Sequence, residues 1–211
     1  MTTLILIAKE TIPGKVKTRL HPPLSLEQAA ALAAASISDT LAAIAEVPAT
    51  RRILLFDGVT PPSGTENYEI VQQCEGDLDE RLAAIFDHCE GKTILIGMDT
   101  PQLTAADLMP AFTDWRPEID AWFGPANDGG FWALGMSRPN GDLIRGVPMS
   151  REDTGAIQFD RLRAAGLRVG LLRPLTDVDT IDDAWEAADA APHGLFAHTL
   201  AGFSHRAQAV A

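Results

Sequence analysis

Short apolar runs alternate with longer helical patterns along most of this chain. The first run, Leu4 to Ile7, precedes a loop and then an alanine-rich stretch with the spacing of a helix. Strands that alternate with helices predict a mostly parallel sheet covered by helices on both faces, an α/β fold. The predicted strands are 3–8, 52–56, 69–73, 92–97, 121–124, 131–136 and 167–172. The predicted helices are 26–46, 77–89, 105–113 and 181–190. Ser150 and Asp153 are predicted to cap a further helix that ends before Gly166, and a last helix is predicted from Leu195.

Length and charge narrow the possible functions. The 211 residues, 46% of them hydrophobic, suit a single domain over 1–211 with a substantial core. The formal net charge of -12 argues against general binding of nucleic acid or anionic membranes, which needs a basic surface. No apolar run approaches the roughly 18 residues of a membrane span, and the N-terminal run is too short for a signal peptide. We therefore expect a cytoplasmic protein with no membrane span.

The loop after the first strand concentrates positive charge in this acidic chain. It can turn tightly at Pro13 and Gly14, which would bring backbone N–H groups near an anion. Lys17 and Arg19 could add charge-assisted hydrogen bonds to a diphosphate. A solvated basic loop before a helix explains the same residues equally well, and the glycine spacing of a Walker loop or dinucleotide fingerprint is missing. The cationic residues of the loop are Lys9, Lys15, Lys17 and Arg19.

Acidic residues follow two other predicted strands. Asp99 comes directly after strand 92–97, and Asp177 and Asp179 follow strand 167–172. Ligands of open α/β sheets bind at the carboxyl ends of the strands, and carboxylates are suitable ligands for a divalent cation that bridges phosphates. The alternatives are that Asp99 caps a turn and that Asp179 supports a helix N-terminus.

A glycine-rich turn forms the fourth candidate loop. Asp128, Gly129 and Gly130 permit a sharp turn and close approach of a ligand. Asp-Gly-Gly is also an ordinary hairpin turn, and for this segment alone that explanation is favoured. Because all four loops lie on one predicted edge of the sheet, each gains weight as part of a site.

Five segments together resemble a bacterial family of provisionally assigned glycosyltransferases of GT-A type, also described as nucleotide-diphospho-sugar transferase-like. The chain departs from the family pattern at Thr11, Asp79, Met98 and Phe131. The resemblance implies a Rossmann-like GT-A fold that binds nucleotides, related to molybdenum-cofactor guanylyltransferases. The matching segments are 8–20, 76–81, 97–104, 124–131 and 177–180.

The resemblance also implies roles for particular residues. Asp99 and one or both of Asp177 and Asp179 would hold Mg²⁺ or Mn²⁺, Lys17 and Asp128 would be catalytic, and Asp128, Gly129 and Gly130 would contact a small-molecule acceptor. The expected reaction is metal-dependent glycosyl transfer from a nucleoside-diphosphate sugar. The alternatives are a nucleotidyltransferase that releases pyrophosphate and a nucleotide-binding module without catalysis. The nucleotide-binding residues would be Ala8, Lys9, Pro13, Gly14, Lys17, Thr18, Arg19, Gly97 and Asp99.

Overall fold

One mixed sheet forms the centre of the protein. The computed structural model describes the backbone of residues 2–209 and the side chains of residues 2–203. The strands are β1 (Thr2–Lys9), β2 (Arg51–Asp57), β3 (Glu69–Gln72), β4 (Lys92–Ile96), β5 (Ala121–Pro125), β6 (Phe131–Met136) and β7 (Val169–Leu171). Their order in the sheet is β3-β2-β1-β4-β6-β5-β7. Only β6 runs antiparallel to its neighbours within this described sheet, so the predicted mostly parallel α/β fold is confirmed.

Helices fill the connections between the strands except those from β2 to β3 and from β5 to β6. The order expected from the sequence is observed, and two single 3₁₀ turns at Thr18–Leu20 and Gly141–Leu143 were not predicted. The helices are α1 (Leu26–Ala45), α2 (Leu78–Asp87), α3 (Ala105–Leu108), α4 (Pro110–Thr113), α5 (Thr154–Ala164), α6 (Ile181–Ala190) and α7 (Leu195–Ala209).

The two faces of the sheet bury separate sets of apolar side chains. Leu4 and Leu6 of β1 point to one face, where they join a core with α1 and with α3 and α4. Ile5 points to the other face and joins a core with α2 and α5. This period of two is what a strand buried on both faces produces.

Helix α1 is apolar because it is covered on two sides. Ala30 and Ala33 face the sheet, whereas Ala29 and Leu32 face a further layer built from α6 and α7. Among the described residues, α1 alone is long and apolar enough to cross a membrane, yet 56% of its most apolar window is buried inside the protein. The apolar composition of α1 therefore matches its place in the core.

Two predicted helices differ in detail. The predicted helix 105–113 divides into α3 and α4 at Pro110, which has no N–H to donate to the preceding turn. The predicted cap of α5 by Ser150 and Asp153 was wrong, because Asp153 makes no capping hydrogen bond. Ser150 instead has left-handed backbone geometry with φ 58°, and the chain enters the helix through a tight turn.

Candidate active site

Four loops meet at the carboxyl edge of the sheet. They follow β1, β4, β5 and β7, as the parallel topology requires. Backbone hydrogen bonds join them: Val178 N–H donates to the Asp99 carbonyl at 3.0 Å, and Asn127 N–H donates to the Leu175 carbonyl at 2.9 Å. The segments that carry Asp99, Asp128, Asp177 and Asp179 are therefore fixed next to one another.

Lys17 is the central cation of this edge. Its ammonium group lies 3.0 Å from Asp99 Oδ1 and 3.2 Å from Asp179 Oδ1, and it donates to the Val178 carbonyl. The contact with Asp99 is an ion pair rather than an aligned hydrogen bond, since Oδ1 has no partner that meets hydrogen-bond geometry. Only 9% of the Lys17 side chain is exposed, so the ammonium faces the acids and not the solvent.

The backbone conformation of Lys17 and the pKa of its ammonium group are both unusual at this buried position. Its backbone is left-handed, with φ 48° and ψ 37°, a conformation that costs about 1–3 kcal/mol for a residue other than glycine. Burial acts to lower the pKa of the Lys17 ammonium, but Asp99, Asp177 and Asp179 together raise it above its ordinary value. Lys17 is therefore charged at neutral pH and holds the acids around it.

Arg19 is the outward-facing cation of the same loop. Its guanidinium Nη1 lies 2.8 Å from Asp179 Oδ2, and 70% of the side chain is exposed. Lys9 and Lys15 are exposed as well. The predicted cationic loop is thus divided: Lys17 neutralises acids inside the protein, and the other three cations remain accessible to an anion.

A triad of carboxylates lies beside Lys17. Asp128, Asp177 and Asp179 can each offer one oxygen so that the three atoms lie within 4.8 Å of one another. Burial raises the pKa of Asp177 to about 8, with further increases from Asp99, Asp179 and Asp128 and an opposing effect from Lys17. Among the described residues neither Asp177 nor Asp128 has a salt-bridge partner, and Asp177 is the more buried of the two.

The triad suits a divalent cation. Four neighbouring carboxylates face two cations, which leaves an excess of negative charge when all of them are ionised. Oxygen ligands of this kind are those that Mg²⁺ and Mn²⁺ prefer. The sequence predicted Asp99, Asp177 and Asp179 as ligands. The structure groups Asp128 with Asp177 and Asp179 and places Asp99 against Lys17; which of these carboxylates bind a metal stays a prediction.

The turn that carries Asp128 packs tightly against the start of α5. Gly129 has φ +87°, and a side-chain Cβ there would lie 1.9 Å from the Glu152 carbonyl oxygen. Gly155 N–H donates to the Gly129 carbonyl at 2.8 Å, and Asp128 Oδ1 accepts from Gly130 N–H at 2.9 Å. The segment is both the β5–β6 hairpin turn and the support of one member of the triad.

The remaining predicted nucleotide-binding residues line the same edge. Gly14 occupies the expected turn with φ +78°, and Gly97 has open space where a side chain would begin. Ala8 is buried at the end of β1, whereas Pro13 and Thr18 are exposed on the loop. Their contacts with a nucleotide stay a prediction.

Sequence reasoning missed a set of polar residues beneath the acids. Gln102, Asn127 and Thr176 lie within three positions of a predicted acid, but neutral polar side chains carry no signal of charge, and Glu186 lies inside helix α6. The hydrogen bonds that join them span from 10 to 74 positions in the chain, which no local pattern reveals. The residues are Gln102, Asn127, Thr176 and Glu186.

Comparison with protein families places the chain in one of them. A family model described as "Uncharacterized protein conserved in bacteria (DUF2064)" matches residues 30–151, more than half of the chain. The chain belongs to the DUF2064 family. The matched part of this DUF2064 protein contains Asp99 and Asp128, whereas Lys17, Asp177 and Asp179 lie outside it. A search of curated proteins found no match.

Solved structures share the fold. A Desulfovibrio desulfuricans G20 protein, described provisionally as a nucleotide-diphospho-sugar transferase, has a TM-score of 0.83 at 24% identity, covering 97% of this chain and 95% of its own. The 2-C-methyl-D-erythritol 4-phosphate cytidylyltransferase of Thermus thermophilus has a TM-score of 0.54 at 13% identity, with 89% and 98% covered. Glucosyl-3-phosphoglycerate synthase from Mycobacterium tuberculosis, in complex with Mn²⁺, UDP and glucosyl-3-phosphoglycerate, has a TM-score of 0.52 at 11% identity, with 88% and 75% covered. These likenesses confirm the predicted nucleotide-diphospho-sugar transferase fold.

Proposed function

We propose that this DUF2064 protein is a metal-dependent transferase that binds a nucleotide-sugar and transfers its glycosyl group to a small-molecule acceptor. One observation carries the proposal: a carboxylate triad and a row of cations meet at the carboxyl edge of the sheet. A divalent cation requires acidic ligands and a diphosphate requires cationic ones, so a site for both needs the two kinds of charge side by side. The fold shared with transferases and nucleotidyltransferases supports the same conclusion.

The exposed cations of the first loop bind the diphosphate in this proposal. Arg19 is accessible and presents a planar fork of donors that matches phosphate oxygens. Asp179, its present partner, keeps it close to the acids. Arg19 would therefore neutralise the negative charge that grows on the leaving nucleoside diphosphate.

In this proposal the carboxylates of the triad bind the divalent cation and contact the acceptor. Asp128, Asp177 and Asp179 would hold Mg²⁺ or Mn²⁺, which when bound supplies Lewis-acid stabilisation of the phosphate charge. Asp128 is the most exposed of the three, so it would also orient the acceptor hydroxyl or accept its proton. Lys17 lies against both Asp99 and Asp179 and would hold the two side chains close together before any ligand arrives.

Nucleotidyl transfer is the second candidate, since the cytidylyltransferase from Thermus thermophilus shares the fold. Both reactions require compensation of phosphate charge, so the geometry of the acids serves either. The first loop lacks the glycine-rich Ala-Gly-Gly form typical of nucleotidyltransferases, which favours glycosyl transfer. Release of a nucleoside diphosphate rather than pyrophosphate would identify the reaction.

Thermal unfolding with a nucleotide panel tests the proposal. We expect NTPs or UDP-, GDP- or ADP-sugars to stabilise the protein in the presence of Mn²⁺, by about 2.7 kcal/mol at one hundred times the dissociation constant. Asp177→Asn should lose the contribution of Mn²⁺. If none of these nucleotides stabilises the protein more with Mn²⁺ than without it, the proposal fails.

Two arginine variants test the phosphate contact. Arg19→Ala should weaken nucleotide binding by about tenfold or more, because a charge-assisted hydrogen bond is lost. Arg116→Ala is the matched control: Arg116 is also exposed and paired with an aspartate, at 3.0 Å from Asp114, but lies outside the site. Equal nucleotide affinities of the two variants would contradict the role of Arg19.

A further inference from the structure

A chain of neutral and acidic side chains links the loops beneath the triad. Asn127 Nδ2 donates to Thr176 Oγ1 at 3.0 Å, and Thr176 Oγ1 donates to Glu186 Oε1 at 2.6 Å. Gln102 Nε2 donates to the Thr176 carbonyl at 2.8 Å. Thr176 thus contacts three separate parts of the chain, with its side chain and its backbone.

The direction of each hydrogen bond is fixed by chemistry. A hydroxyl has one proton to donate, and an ionised carboxylate can only accept, so the Thr176 proton goes to Glu186. The hydroxyl oxygen is then free to accept from the amide of Asn127. Thr176 is 7% exposed and Gln102 is 5% exposed, so the hydrogen bond between these two residues is shielded from water, whereas Asn127 and Glu186 are exposed.

Two of the partners of Thr176 belong to loops that carry an acid, and the third, Glu186, belongs to helix α6. Asn127 precedes Asp128, and Gln102 lies three positions after Asp99. The Thr176 carbonyl is part of the peptide group that joins Thr176 to Asp177. The hydrogen bond from Gln102 therefore fixes the orientation of the peptide from which Asp177 projects.

We propose that Thr176 is a positioning residue that holds the carboxylates of the triad at the spacing needed for a divalent cation. This inference rests on the proposed function. Carboxylates whose oxygens lie within 4.8 Å of one another repel each other when ionised, so hydrogen bonds between the loops are needed to oppose their separation. Thr176 forms hydrogen bonds with the loops of Asp99 and Asp128 and with helix α6.

Substitutions of Thr176 distinguish an effect on Mn²⁺ binding from an effect on the stability of the folded protein. Thr176→Val keeps the shape and removes the hydroxyl, and Thr176→Ser restores it. Thr40→Val is the matched control, because Thr40 is also buried and its hydroxyl has no hydrogen-bond partner among the described residues. Binding of Mn²⁺ alone, without nucleotide, is measured by the loss of the free-ion EPR signal, on samples whose folded fraction is checked by thermal unfolding.

We expect Thr176→Val to bind Mn²⁺ about tenfold to one hundredfold more weakly, the usual effect of removing a group that orients ligands. Thr176→Ser and Thr40→Val should bind like the wild type. If Thr176→Val does not fold, Glu186→Ala replaces it, since Glu186 is exposed and its loss should weaken Mn²⁺ binding in the same direction. Equal affinity of wild type and the tested variant overturns the positioning role alone, whereas a wild type that binds no Mn²⁺ overturns the metal dependence of the proposed function as well.

Discussion

Asp177 keeps a proton at neutral pH unless a cation replaces it. Burial is the main cause of its raised pKa, about 8, and the neighbouring carboxylates add to it. A divalent cation would remove the repulsion and take the place of the proton. If Asp177 binds Mn²⁺ as proposed, the affinity for the ion would therefore depend on pH through this side chain.

The pH dependence of stability follows from the same shift. Between pH 3.8 and about 8 the folded state binds a proton at Asp177 that the unfolded state has released. Stability consequently falls as pH rises through this window, by up to about 1.4 kcal/mol per pH unit. Asp177→Asn stays neutral, so without metal its stability relative to wild type should increase from pH 5 to pH 8 and level off above. Thermal unfolding in the presence of a chelator measures the difference, and a difference that is constant with pH would contradict the raised pKa.

Charged residues of the site could be found from the sequence, but their partners could not. Asp99 and Asp179 follow predicted strands, so topology alone brings them to one edge. The backbone of Lys17, left-handed at φ 48°, directs its ammonium inward through contacts that no local pattern encodes. The same holds for Thr176, whose partners are distant in sequence.

At the scale of elements, the turn after β5 depends on α5 for its position. Gly129 lies against the backbone of Glu152, and no side chain fits between them. The turn and the start of α5 therefore form one packed unit, and Asp128 is fixed by it.

Two glycine variants measure this contact. Gly129→Ala and Gly166→Ala both place alanine at positive φ, +87° and +80°, but a Cβ at Gly166 meets no atom within 4 Å. Gly166→Ala should cost about 1–2 kcal/mol, the usual penalty of left-handed geometry, and Gly129→Ala clearly more. Urea unfolding compares them, and Mn²⁺ binding should weaken only in Gly129→Ala. Equal losses in the free energy of unfolding would mean that the backbone of Glu152 moves away from the added Cβ at no measurable cost.

Helix ends were predictable where the chain supplies its own cap. Ser25 and Gln28 form the expected capping box of α1, and Thr180 and Asp183 form that of α6. The start of α5 was not predictable, because Thr154 accepts from Arg151 N–H and donates to the Pro148 carbonyl instead. The start of α5 is thus fixed by a local turn that the capping pattern of the sequence did not indicate.

At the scale of the whole molecule, the site lies at one edge of the sheet and the α6–α7 layer lies behind α1. Asp39 of α1 accepts hydrogen bonds from Leu195 N–H and Phe196 N–H at 2.9 and 2.8 Å, at the start of α7. Leu200 is fully buried in this layer. Helix α7 is therefore anchored to its own chain through these residues.

Leucine variants of α7 test whether this layer contributes stability without touching the site. Leu200→Ala should lower the free energy of unfolding by about 2–5 kcal/mol. Leu195→Ala, on the same helix but 52% exposed, is the matched control and should cost far less. Urea unfolding and Mn²⁺ titration would be measured on both, with Mn²⁺ affinity unchanged while the protein is folded. Weaker Mn²⁺ binding by folded Leu200→Ala would show that the layer also shapes the site.

The ion pair between Lys17 and Asp179 joins residues 162 positions apart. During synthesis on the ribosome, the emerging chain cannot close this pair before Asp179 has left the exit tunnel. The proposed binding site, which needs residues from both ends of this interval, would therefore be incomplete on any shorter nascent chain.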